Sequence, residues 1–150
     1  MYAQSVKATE QVAILDGIAP VSQSAGTVAT GWVSAANFQK FLAVLQTGVL
    51  GASATVDAKF RQATDSSGTG AKDISGAAIT QVVKATGDGK YVEVNLDAQQ
   101  LDVEGGFDHI SFSVTVGTAA SLIAASLFGF NPRFAPASDF NAAAVAQIVG

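Results

Sequence analysis

His109 is the only histidine of the chain, preceded by Asp108 and followed two residues on by Ser111. An imidazole near a carboxylate and a hydroxyl is the raw material of nucleophilic catalysis, in which histidine takes the hydroxyl proton and the carboxylate orients the ring. The spacing argues against it here. In a strand, Asp108 and His109 point to opposite faces, while His109 and Ser111 share a face with Cα atoms about 6–7 Å apart. The Gly-x-Ser-x-Gly turn that would lift a nucleophile out of a sheet is missing. His109 therefore reads as a strand-surface histidine, and no catalytic residue is assigned.

Four carboxylates, Asp97, Asp102, Glu104 and Asp108, fall within twelve positions. Calcium needs several oxygens converging on one point, but this spacing matches no calcium loop. A glycosidase would need two opposed acids in a cleft, usually with aromatic rings to stack on a sugar. The chain has one Trp (Trp32) and two Tyr (Tyr2 and Tyr91). Its nine Phe look like core and interface filling. Gly68-Thr-Gly70 and Gly87-Asp-Gly89 lack the third glycine and the helix of a dinucleotide loop, and Gly89-Lys90-Tyr91 lacks the hydroxyl residue of a phosphate loop. Trp32, between Gly31 and Val33, reads as a core or inter-sheet anchor, with ligand stacking as the alternative role. With no cysteine, disulfides and thiolate zinc sites are excluded. No metal and no cofactor is expected, and the chain reads as a non-enzyme.

Composition narrows the partners. Of 150 residues, 49% are hydrophobic and only 13% charged, about half the usual ~25%. Such a chain can bury a core and still leaves a surface that costs little to desolvate on assembly. Net charge is −4, and the eight Lys and Arg are scattered singly. A nucleic-acid binder needs a basic stripe to displace counterions, so no direct nucleic-acid contact is expected. The first ten residues lack the basic and apolar regions of a secretory signal. Ile110 to Pro132 carries no charge, yet Ile110, Phe112, Val114 and Val116 alternate with polar residues. That two-residue period describes a hairpin rather than a membrane helix.

The elements that must position these groups are strands. Ala54–Gln62 and Tyr91–Asp97 alternate apolar with polar residues, the pattern of antiparallel strands with one wet face. Phe38–Thr47 is apolar on both faces, which predicts a central strand covered on both sides. Weaker strands are expected at Gln11–Ile18, Thr27–Ser34 and Ile79–Ala85, with a last pair at Asp108–Val116 and Ser121–Phe130. Thr86-Gly-Asp-Gly89 supplies a hairpin turn, and Asp65–Ala71 a flexible loop tip. About eight short strands with such punctuation predict an all-β, antiparallel β-sandwich or jelly-roll-like domain.

The ends differ from the middle. The expected division is an N-terminal arm with a first weak strand over residues 1–26, a sandwich core over 27–131, and a C-terminal arm or short helix over 132–150. Asn131-Pro-Arg-Phe-Ala-Pro136 cannot be a central strand, because proline lacks the ladder donor. Beyond it, Ser138 or Asp139 could cap a helix over Phe140–Val149.

These residues carry a resemblance. Lys59–Ala78 contains a strand, a "Gln-x-x-Asp-Ser-Ser-Gly" turn and an "Asp-Ile-x-Gly-Ala" step. A strand ending in Leu96-Asp97 follows, then Phe112-Ser-Val-Thr-Val-Gly117, an apolar strand, and the exit Asn131–Pro136. In this order they resemble the small β-rich head-associated structural proteins of tailed bacteriophages, of the decoration or cement type. The similarity spans roughly residues 28–150. Many relatives carry an Arg-Tyr pair before the penultimate strand, where this chain has Gly105-Gly-Phe-Asp108, so no role is carried over for that pair.

The resemblance implies a virion protein on the capsid surface, made in the bacterial host cytoplasm. Its partners would be the major capsid protein and copies of itself, with no membrane involved. The side chains offered for contact are Tyr2, Val12, Ile14 and Trp32, with Arg133, Phe134, Phe140 and Ile148 in the C-terminal segment. The alternative is a tail or adhesin-like sandwich that binds a host-surface glycan, for which the sequence offers only Trp32 and the acidic cluster.

Overall fold

The computed structural model describes residues 5–150, so Tyr2 lies outside the described residues. Ten strands form: β1 (Val12–Gln23), β2 (Gly26–Ala29), β3 (Val33–Ser34), β4 (Phe38–Thr47), β5 (Thr55–Ala63), β6 (Lys72–Ala78), β7 (Val82–Val83), β8 (Tyr91–Asp97), β9 (His109–Gly117) and β10 (Ser121–Pro132). The other elements of the described residues are two four-residue helices, α1 (Ala8–Gln11) and α2 (Lys84–Gly87), and two short 3₁₀ turns. No helix among the described residues is long and apolar enough to cross a membrane.

One sheet has the order β1-β10-β4-β8, the other β2-β9-β5-β6, with β3 paired to β9 and β7 to β5. All pairs are antiparallel. The pairings β1 with β10, β2 with β9, β4 with β8 and β5 with β6 are nested, first half against second half in reverse order. The chain is thus a long antiparallel ribbon, folded back at the β5–β6 loop and rolled up. Rolling brings together β10 with β4 and β9 with β5. This is a jelly roll.

The period of two decides what the roll encloses. Phe41, Ala43 and Leu45 of β4 and Ile123, Ala125 and Leu127 of β10 face inward from the first sheet, all buried. Val56, Ala58 and Phe60 of β5 with Ile110, Phe112, Val114 and Val116 of β9 face them from the second. Phe60 and Phe112 lie opposite each other across the β5–β9 ladder, ring centroids 5.3 Å apart in an edge-on pair. Small residues make room for large ones. A Cβ on Gly129 would lie 2.7 Å from the Phe38 ring, and that ring in turn meets Phe41 at 6.3 Å and Phe140 at 5.6 Å.

Several boundaries move. The segment expected as an arm with a weak strand is a full edge strand from Val12 to Gln23, because a ladder from Val12↔Phe130 to Gln23↔Ser121 fixes it, with two bulges. β10 runs on to Pro132, opposite Phe38 at the end of the ladder. Thr27–Ser34 splits into β2 and β3, and Ile79–Ala85 contracts to β7. β6 was not anticipated. Its Lys-Asp-Ile-Ser-Gly-Ala-Ala sequence has little alternation, and it is held by β5 instead.

The helix over Phe140–Val149 does not form. Ala137–Phe140 is a 3₁₀ turn tucked against the sandwich, with Ala137 fully buried. From there the chain runs beside β1, where Ala142 N–H donates to Ile14 O at 2.8 Å. The Asn141 side-chain oxygen accepts from Ile14 N–H at 2.9 Å.

The loop expected to be flexible is tied down. One Asp65 carboxylate oxygen accepts from Ser67 N–H at 2.9 Å and Thr69 N–H at 3.1 Å.

Phe112→Ala removes the ring at the centre of this core and lowers the unfolding free energy by about 3–5 kcal/mol. Urea unfolding should show the midpoint falling with the slope unchanged. A loss below about 1 kcal/mol would mean that the Phe60–Phe112 pair does not anchor the core.

Candidate interaction surface

The residues that suggested chemistry do not assemble into a centre. Asp108 and His109 were expected on opposite faces, but Asp108 precedes the first residue of β9. Its backbone is bonded to Ala63 and Ala35, and its carboxylate nevertheless reaches His109 Nδ1 at 2.6 Å. Ser111 is buried and its hydroxyl donates to the Thr30 carbonyl at 2.9 Å. Thr30 Oγ1 accepts from Phe112 N–H at 2.9 Å. This seryl oxygen is a structural tie between β9 and the β2–β3 link. The outer side of β9 is also less wet than its alternation implied, since Ser111 and Ser113 lie directly across from Arg61 and Lys59 and are both buried.

The four carboxylates part company. Asp97 pairs with Lys40 and accepts from Gln99 N–H at 3.0 Å. Asp102 pairs with Lys72 at 2.5 Å and accepts from Gly105 N–H at 2.9 Å. Asp108 sits on His109, and Glu104 points to solvent. Among the described residues, no three metal-binding side chains converge.

Trp32 is not the core anchor the sequence suggested. It is only partly buried and lies across the β5–β6 loop, where a Cβ on Gly68 would fall 2.4 Å from its indole nitrogen. Gly68 also has φ +82°, so this contact requires glycine twice over, for space and for backbone conformation.

Charge is spent locally. Lys40, Lys59, Arg61, Lys72 and Lys84, five of the eight cations, sit on aspartates. Lys59 and Arg61 share Asp73 at 2.7 and 3.2 Å. No basic stripe is left to follow a phosphate backbone.

The two outer faces of the sandwich are unlike. Outside the β2-β9-β5-β6 sheet stand Asp57, Lys59, Arg61 and Asp73, interleaved with Thr27, Thr55, Ser113 and Thr115. Outside the other sheet the register lines up Val12 with Phe130, Ile14 with Phe128, Phe128 with Leu42, and Ser126 with Val44. Leu42, Val44, Phe128 and Phe130 are only half buried, while Ile14, Leu122 and Tyr91 are 40%, 46% and 67% exposed. Among the strand residues of this face, charge stands at Lys40, Glu93 and Asp97 along the β8 side and at Asp16 on the β1 margin.

Three depressions mark the face, of ≈ 380, ≈ 180 and ≈ 500 Å³, and all three share Gln46 and Ala124. The largest runs between the sheet and the C-terminal segment at Ala142, Ala144 and Val145.

Of the side chains expected to make contacts, Val12 and Ile14 lie on this apolar face. Arg133 and Phe134 are exposed beyond β10, and Ile148 is exposed in the C-terminal segment. Phe140 is committed to Phe38. Trp32 belongs to the other side of the molecule. The central residues of the face, Leu42, Val44 and Phe128, were missed. The signal was present in β4, apolar on both faces, but it was read as a strand covered twice. It is central within its sheet, yet among the described residues no layer covers its outer side.

No protein-family model matches the chain, and no curated protein matches its sequence. Among solved structures it is similar to a chain of the naturally occurring empty particles of cowpea mosaic virus. That match has 8% identity and TM-score 0.45, covering 86% of this chain and 94% of that one. It is also similar to a chain of Triatoma virus, with 10% identity and TM-score 0.45 over 92% and 73%. A xylan-binding domain from Paenibacillus barcinonensis matches at 15% identity and TM-score 0.36, over 81% of each chain. At these scores the likenesses carry no argument about activity or partner, and the jelly-roll order is read from this chain's own strands.

The ion pairs set an acid limit. Asp73, Asp97, Asp102 and Asp88 are held below the usual carboxylate value, foremost by hydrogen bonds from Lys59, Lys40, Lys72 and Lys84 respectively. A carboxylate depressed in the folded state stabilises above its unfolded pKa of ~3.9, and that contribution fades as pH falls through the folded value. The melting temperature should therefore be flat above about pH 5 and fall below about pH 4. High salt should weaken the effect, since these pairs are solvent-exposed. A melting temperature that rises on acidification would contradict these assignments.

Proposed function

We propose that this chain is a non-enzymatic structural protein of a phage virion, a capsid decoration or cement protein that stabilises the head by binding the major capsid protein. The observation that carries the reading is the apolar outer face of the β1-β10-β4-β8 sheet. A monomer in water keeps such patches small, and a larger one rimmed by polar residues is the mark of a protein-binding surface. The low overall charge and the phage-like turn pattern of Lys59–Ala78 support the same reading.

The mechanism follows from the two faces. The apolar sheet lies against the shell and buries Leu42, Val44, Phe128 and their neighbours. The sheet bearing Asp57, Lys59, Arg61 and Asp73 faces solvent and keeps the particle soluble. Exposed Phe134 and the end at Ile148 reach toward the adjoining capsid subunit, so that each copy ties two subunits together. Each contact is modest, and repetition over the particle surface makes the stabilisation large.

The test uses shells assembled without this chain. Added protein should co-sediment with them and raise the temperature at which they release their contents. Val44→Lys and Phe128→Lys, placed outside the core, should each weaken binding at least about tenfold, equivalent to ~1.4 kcal/mol. Lys59→Ala on the opposite sheet should leave it unchanged. Equal binding by all three variants, or shells indifferent to the protein, would overturn the proposal.

A further inference from the structure

The four sheet edges are not alike. β1 is broken by two bulges, contains Pro20, and has its Ile14 backbone covered by Asn141 and Ala142. β6 has a register shift and a glycine at φ +77°, and β2 is four residues long. Each of these is a known way of blunting an edge against another strand. β8 has none of them. It is seven residues long, runs without a shift against β4, and contains no proline or glycine.

The direction of its backbone groups follows from one bond. Thr47 N–H donates to Lys90 O at 2.8 Å. By antiparallel alternation, Val92, Val94 and Leu96 then turn their N–H and C=O groups toward β4, while Tyr91, Glu93 and Asn95 turn theirs outward. Asp97 N–H, the next outward donor, is taken by the Gln100 side chain at 2.8 Å, which marks where the open edge stops.

We propose that β8 is a self-association edge, pairing antiparallel with β8 of a second copy about a two-fold axis through Val94. The charge pattern selects both occupant and register. With the axis at Val94, Glu93 faces Asn95 of the second copy, and each such pair exchanges both backbone hydrogen bonds. Tyr91 faces Asp97 of the second copy, and Val92 faces its Leu96 on the inner side. An axis at Glu93 would set that carboxylate against itself, and an axis at Asn95 would set Glu93 against Asp97. Like charges directly opposite destabilise a strand pair. Only the Val94 register keeps a long overlap without one. The two β1-β10-β4-β8 sheets then join into a single sheet.

This inference stands apart from the virion reading, because it is measured on the isolated chain. Sedimentation equilibrium of the full chain from about 10 μM to 1 mM should show a concentration-dependent dimer. Asn95→Glu, which opposes two pairs of carboxylates, should weaken it several-fold, and Asn95→Lys should strengthen it. Glu93→Pro should abolish it while leaving the monomer folded by circular dichroism, since the lost N–H points outward. A chain monomeric throughout, equal effects of Glu and Lys at position 95, or a dimer that survives Glu93→Pro would each overturn the proposal.

Discussion

A sandwich of two sheets can bury one face of each, and every other property of this molecule follows from how the remaining two faces are used. The buried faces are filled by Phe41, Leu45 and Leu127 on one side and Phe60, Phe112 and Val114 on the other. Alanine and glycine at Ala43, Ala125 and Gly129 let the larger rings enter. Because side chains alternate, each inward residue commits its neighbours to the outside. A strand that is apolar on both faces, as β4 is from Phe41 to Leu45, must then carry apolar groups that no layer of the described residues covers.

The outer faces divide the work. On the β2-β9-β5-β6 side, lysine, arginine and aspartate neutralise one another in pairs such as Lys59–Asp73, giving a hydrated surface with little net field. On the other side, valine, leucine and phenylalanine stand half exposed along β4 and β10. The few charges of that side stand along β8 and, at Asp16, on the β1 margin, leaving its middle free of them.

Much of this was legible in the residues. Alternation located β4, β5, β8, β9 and β10 almost to their ends. What alternation could not supply was the third dimension. It could not distinguish a strand covered by a second layer from one left bare, so the apolar outer side of β4 was taken for core. It also gave no sign of β6, whose short polar and small residues have no strand preference of their own and are recruited by β5. Phe140 looked like a contact residue because nothing in the sequence says that the chain turns back upon Phe38.

The dressing of β1 by Asn141 and Ala142 has a consequence for stoichiometry. A sheet open at both margins can recruit copies without end and grow into a fibre. With one margin strapped shut by the chain's own tail, growth through the other terminates once the second molecule has docked. If β8 pairs as proposed, Asn141 and Ala142 on Ile14 act as the stop signal.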